Sequence, residues 1–194
     1  MKLVFATHNK NKAIEIQSLM PEGIEVLTLD EIGCIEDIPE TADTLEGNAK
    51  IKADFVYETY GYNCFADDTG LEVEALNNEP GVLSARYAGS AKDPEQNMQL
   101  LLENLSRHNN RSAQFRTAIA LRLNGETYLF EGIVSGDITA EKRGNEGFGY
   151  DPIFQPEGSQ HTFAEMSLTE KNGMSHRARA LEKMLDFLSE KITK

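Results

Sequence analysis

The chain has 194 residues, 40% of them hydrophobic and 26% charged, which is enough apolar material for a substantial buried core. Its acids outnumber its bases by 32 to 19, and the formal charge of −13 excludes broad electrostatic attraction to DNA, RNA or an anionic membrane surface. The two cysteines, Cys34 and Cys64, form no CxxC or Cys/His cluster, so neither a disulfide scaffold nor a zinc site is expected.

Leu3 to Ala6 is a short apolar run and predicts a first buried strand. This N-terminus turns polar too early for a signal peptide, and no apolar run reaches membrane-spanning length, so a cytoplasmic protein is expected. Ala13, Ile16, Leu19 and Met20 then recur at helical spacing up to Pro21, with Thr7 or Asn9 as the cap. Ile24 to Leu27 predicts a second strand, and residues 33–43 form an acidic connection. From Thr44, the residues Leu45, Ala49, Ala53, Val56 and Tyr60 trace the buried stripe of a longer helix that Gly61 stops. Asn48 and Lys52 share a different, more polar face of that helix. Residues 63–66 return as a strand, expected to end in a tight turn at Asp67-Asp68-Thr69-Gly70.

Asp93-Pro94-Glu95-Gln96 opens another helix, with Met98, Leu101, Leu102 and Leu105 on its apolar face. A hairpin follows: Phe115, Thr117, Ile119, Leu121 and Leu123 alternate, Asn124-Gly125 turns, and Tyr128 to Val134 returns. Ser167-Leu168-Thr169-Glu170 is a capping box. Ser175 is expected to cap a last helix with Ala178, Leu181, Leu185, Leu188 and Ile192 toward the core. With no repeat or linker, residues 1–194 read as one mixed α/β domain.

Four groups of residues suggest chemistry. Thr7-His8-Asn9-Lys10-Asn11-Lys12 lies at a strand-to-helix junction, where free N–H groups and the helix dipole favour phosphate, although the glycines of a Walker loop are missing. Glu40, Asp67 and Asp68 are the oxygen ligands that Mg²⁺ prefers, and one of them could take a proton from an attacking water. Glycines and two aromatics in Gly147-Phe148-Gly149-Tyr150-Asp151 could sandwich a flat ring, with Asp151 accepting from a nucleobase N–H. Cationic His176 and Arg177 in the first turn of a helix conflict with the dipole, and a bound anion or an electron-rich carbonyl would remove the conflict.

These motifs, in this order, resemble the inosine/xanthosine triphosphate pyrophosphatases, also called non-canonical purine NTP pyrophosphatases. The matching stretches are Thr7-x-Asn9-x-x-Lys12, Glu40-Thr41, Asn48-Ala49 to Lys52-Ala53, Ala66 to Leu71, Ser84-Ala85-Arg86-Tyr87, Gly147 to Pro152 and Ser175-His176-Arg177. The resemblance implies an α/β fold, an elongated mixed β-sheet flanked by helices, in two lobes with a central active-site cleft, and a homodimer. It implies Mg²⁺-dependent hydrolysis of ITP, dITP and XTP to the monophosphate and pyrophosphate. Asp68 would activate water, and Glu40 and Asp68 would position the metal. Thr7, Asn9, Lys12, Lys52 and Lys171 would hold the triphosphate, while Thr69, Phe148, Gly149, Tyr150, Asp151, His176 and Arg177 would line the nucleoside site. A rival reading starts from Asp68-Thr69-Gly70, the core triplet of aspartic proteases, which occurs here once.

Overall fold

The computed structural model describes residues 1–192, with side chains to residue 191. Its elements are β1 (Lys2–Phe5), α1 (Lys10–Leu19), β2 (Glu25–Leu27), α2 (Leu45–Tyr60), β3 (Cys64–Val73), β4 (Glu79–Gly81), α3 (Pro94–Leu105), β5 (Ser112–Leu123), β6 (Glu126–Ile138), β7 (Phe154–Pro156), α4 (Leu168–Asn172) and α5 (His176–Ile192), with short 3-10 turns between some of them. The strand order is β2-β1-β3-β5-β6-β7, and β4 pairs with β3. β1 is parallel to both β2 and β3, whereas β3–β4 and β6–β7 are antiparallel, so this is the expected mixed sheet with flanking helices.

The chain divides into two compact units. The first comprises Met1–Asp68, Thr117–Gly132 and the chain from Arg177 onward; the second comprises Thr69–Arg116 and Ile133–His176. In the first unit, β1 and β3 are buried on both faces, as parallel strands usually are. Leu3, Phe5 and Phe65 pack with Ile16 of α1 and with Ala180, Leu181, Met184 and Leu188 of α5. Val4, Ala6, Cys64 and Ala66 pack on the other side with Ala49, Ala53 and Val56 of α2. The second unit has its own core, in which Leu71, Val73, Phe115, Val134 and Ile138 of the strands meet Met98, Leu101 and Leu105 of α3, together with Phe154 and Phe163.

Local chemistry sets most boundaries. Asn9 caps α1 by accepting from the N–H groups of Asn11 and Lys12. Thr44 caps α2, which ends at Gly61 with φ 74°. Asn124 and Gly125, with φ of 52° and 91°, form the expected hairpin turn. α5 begins at His176 as expected, but Ala180 and Met184 carry its buried face along with Leu181 and Leu188, and Ala178 is half-buried. The side chain of Ile192, assigned to that face, lies outside the described residues.

One expectation is overturned. Asp67-Asp68-Thr69-Gly70 is not a turn, because β3 runs straight through it to Val73. The reason is Gly70, which lets the backbone of β4 close in: a Cβ there would lie 2.6 Å from the carbonyl oxygen of Gly81. Leu71, Glu72 and Val73 then pair in register with Gly81, Pro80 and Glu79.

Candidate active site

Strand alternation sends the two adjacent acids of β3 to opposite faces. Asp68 points to the α2 side, where its Oδ2 accepts from Asn48 Nδ2 at 3.0 Å and its Oδ1 lies 3.9 Å from Lys52 Nζ. Lys52 Nζ also donates to Glu40 Oε1 at 2.6 Å, so one ammonium joins the two proposed metal ligands. Asn48 and Lys52, four residues apart on the more polar face of α2, are both buried. Asn48 also accepts from the N–H of Ala42 at 2.9 Å, anchoring the connection that carries Glu40. Burial pushes the Asp68 carboxyl above its ordinary range, and Lys52 and Lys12 only partly offset this. Burial opposes the charge of Lys52, but Asp68 and Glu40 outweigh it and hold the ammonium firmly protonated.

Asp67 points to the α1 and α5 side. Its Oδ1 accepts from Lys12 Nζ at 2.9 Å and its Oδ2 from Arg177 Nε at 3.0 Å. Arg177 also donates to Glu15. Burial disfavours the Asp67 anion, yet Lys12 and Arg177 hold its carboxyl far below the usual carboxylate range. The two carboxylates are therefore tuned in opposite directions, and Asp68 is the better proton acceptor. Arg177 is 1% exposed, and the anion that its place in the first turn of α5 calls for is supplied by Asp67 and Glu15. Ahead of α1, Thr7 Oγ1 accepts from the N–H of Asn9 at 3.1 Å, and His8 Nε2 lies 3.0 Å from the carbonyl oxygen of Glu36.

In the second unit Asp151 is buried and its Oδ2 accepts from the N–H of Phe148 at 2.9 Å and from Lys171 Nζ at 2.6 Å. Gly147 makes this possible, since with φ 72° a Cβ on it would lie 2.1 Å from that same oxygen. The Lys171 ammonium sits 4.9 Å from the centre of the Phe148 ring and 5.5 Å from that of Phe163. Of the two aromatics expected to sandwich a ring, Tyr150 belongs to the core and donates to the carbonyl of Ser84 at 2.8 Å, whereas Phe148 is half-buried, as are Thr69 and Gly149. His176 is buried and stacks on Phe115, with ring centres 4.6 Å apart and planes at 18°.

A model of the Ham1 family matches residues 3–187. The chain belongs to the Ham1 family. A dITP/XTP pyrophosphatase from Flavobacterium johnsoniae is 59% identical over 189 residues, which cover 97% of this Ham1 chain and 98% of the relative. One of the same name from Bacillus subtilis is 44% identical, covering 95% and 96% of the two chains. The solved Ham1 protein of Staphylococcus aureus superposes with a TM-score of 0.89 at 38% identity, over 98% of this chain and all of that one. For a Ham1 member with Asp68-Thr69-Gly70 inside an α/β strand, the aspartic protease reading falls.

The donor set of this Ham1 chain fits Mg²⁺. Among the described residues no three acidic, histidine or cysteine side chains cluster into a closed cage. Mg²⁺ needs none, since one or two carboxylates suffice while waters and phosphate oxygens fill the other positions. Glu40 and Asp68, already gathered around one cation, are such a pair.

Sequence reasoning missed Glu15, left Asn48 without a role, and offered Asp67 only as one of three acids that could serve a metal or a water. Glu15 was discoverable: it lies three residues after Lys12 and directly before Ile16, on the inward face of α1.

Proposed function

We propose that the protein hydrolyses the triphosphates of deaminated purines (ITP, dITP and XTP) to the monophosphate and pyrophosphate. The observation that carries this reading is the environment of Asp68: a buried carboxylate with a raised proton affinity, fixed by Asn48, beside a lysine shared with Glu40. Glu40 and Asp68 would hold Mg²⁺, which when bound supplies charge neutralisation on the phosphate oxygens. Asp68 accepts a proton from the attacking water as the new P–O bond forms and the α–β anhydride breaks, with pyrophosphate leaving. Thr7, Asn9, Lys12 and Lys52 bind and orient the phosphates. Catalysis of this kind rests on positioning and electrostatics, which a preformed charged cluster supplies.

The purine is assigned to Thr69, the Phe148-Gly149 segment and His176. The Lys171–Asp151 pair holds the Phe148 ring in place, and Tyr150 anchors the same loop from the core. A donor such as His176 would be matched by the 6-carbonyl of inosine or xanthosine and left unsatisfied by the 6-amino group of adenosine, which gives strong discrimination. The activity would clear damaged precursors from the cytoplasmic nucleotide pool, and we read the enzyme as a homodimer, which sedimentation checks. No helix among the described residues is long and apolar enough to cross a membrane.

The test is a panel of ITP, XTP, GTP, ATP and UTP with purified protein, with and without Mg²⁺. ITP and XTP are expected to turn over far faster than ATP, and only with the metal. Equal turnover of ATP and ITP would refute the base assignment.

A further inference from the structure

Lys12, Asp67, Arg177 and Glu15 form a buried chain of alternating charge that begins and ends on one helix. Lys12 and Glu15 lie three residues apart on the inward face of α1, Asp67 comes from β3, and Arg177 from α5. Glu15 is 3% exposed and Asp67 1%, burial that carboxylates tolerate only when paired. Neither acid has a part in the chemistry assigned above. Asp67, held by two cations, is a poor base, and Glu15 is paired with Arg177.

We propose that Glu15 and Asp67 are positioning residues that fix the Lys12 ammonium, and so the grip on the triphosphate, through Arg177. Asp67 is the strut, with one oxygen on Lys12 and the other on Arg177. Glu15 shares the guanidinium and keeps Arg177 from drawing Asp67 away from Lys12. The two cations and two anions cancel, so the ring carries no net charge into the interior. Loss of the Glu15 charge removes one of the carboxylates on the Arg177 guanidinium, Arg177 draws harder on Asp67, and the ammonium of Lys12 loosens. This inference rests on the reading of Lys12 as a phosphate-binding residue.

The test is a double-mutant cycle on KM and kcat for ITP with Mg²⁺, using the wild type, Glu15→Gln, Lys12→Ala and the double variant. Glu15→Gln keeps the shape of the side chain and removes its charge. It is expected to raise KM about fivefold with kcat within about twofold, and to have almost no effect on KM once Lys12 is alanine. A Glu15→Gln effect that multiplies with Lys12→Ala, or a loss confined to kcat, overturns the relay. The acylation rate of the Lys12 amine, read by mass spectrometry of its peptide, gives a readout free of the activity. It is expected to rise in Glu15→Gln, and an unchanged rate overturns the relay whatever the kinetics show. Failure of the phosphate reading has its own signature, Lys12→Ala with unaltered KM, alongside faster acylation of Lys12 in Glu15→Gln. Should Glu15→Gln melt below assay temperature, Glu15→Asp replaces it in both measurements, with smaller shifts of the same sign expected and no shift overturning the relay.

Discussion

Arg177→Met removes one charge from a site where two carboxylates depend on it. Arg177, Asp67 and Glu15 are all buried, so the variant takes the guanidinium away from both carboxylates while Asp67 keeps its bond to Lys12. Breaking a buried ion pair by deleting one partner costs about 3–5 kcal/mol. For a chain of this size each kcal/mol moves the melting temperature by about 2–4 °C, so a fall of about 6–20 °C is expected at pH 7. The pH dependence has a definite sign. In the wild type the depressed Asp67 carboxyl contributes stability above the unfolded carboxylate value of about 4, and that contribution is lost as pH falls through its lower folded value. In the variant the carboxyls that have lost the guanidinium take up protons more readily in the folded state. The deficit between the two proteins should therefore shrink between about pH 6 and pH 4. Thermal melts monitored by circular dichroism across that range test this. A variant melting within about 2 °C of the wild type at pH 7, or a deficit that grows on acidification, would refute the reasoning.

Other outcomes follow from the same contacts. Asp68→Asn should lower kcat by about 10²–10⁴ while triphosphate binding, measured by calorimetry, stays detectable. Undiminished turnover would move the base elsewhere. Gly70→Ala places a Cβ 2.6 Å from the Gly81 oxygen, so β3 and β4 must part, and a loss of about 1–3 kcal/mol is expected in denaturant melts. Both cysteines are fully buried, and burial pushes the Cys64 thiol up to about 12. A thiol reagent at pH 8 should label neither cysteine until denaturant is added, and rapid labelling of the native protein would contradict the packing around β3.

What the sequence disclosed was mostly local. Asn9, Thr44, Asp93 and Ser167 cap helices by accepting from N–H groups two or three residues ahead, and Asn124-Gly125 sets its turn by its own backbone preference. Apolar periodicity likewise located α2, α3 and the β5–β6 hairpin. The same periodicity equates burial with apolarity, and there it failed: Lys52, Asn48, Glu15 and Arg177 are buried because charge or amide partners from other elements compensate them. The Glu15–Arg177 pair spans 162 positions, a contact no local pattern announces. The acidic tetrapeptide was read as a turn, and the structure extends it as part of β3. Asp-Asp-Thr-Gly has the composition of a turn, but β3 lies between β1 and β5 in the sheet and Gly70 admits β4 beside it, so the segment stays extended. The Asp68, Glu40 and Lys52 cluster was legible as residue types at the right places, whereas the opposite tuning of Asp67 and Asp68 needed the two faces of β3.

The most direct measurement of the proposed activity is the identity of the products formed from dITP and Mg²⁺, resolved by anion exchange at early time points. The account predicts dIMP and pyrophosphate in equal amounts, with no dIDP at any time, and product formation slowed at least about 10²-fold in the Asp68→Asn variant. Accumulation of dIDP with orthophosphate, or wild-type product formation by Asp68→Asn, would contradict it.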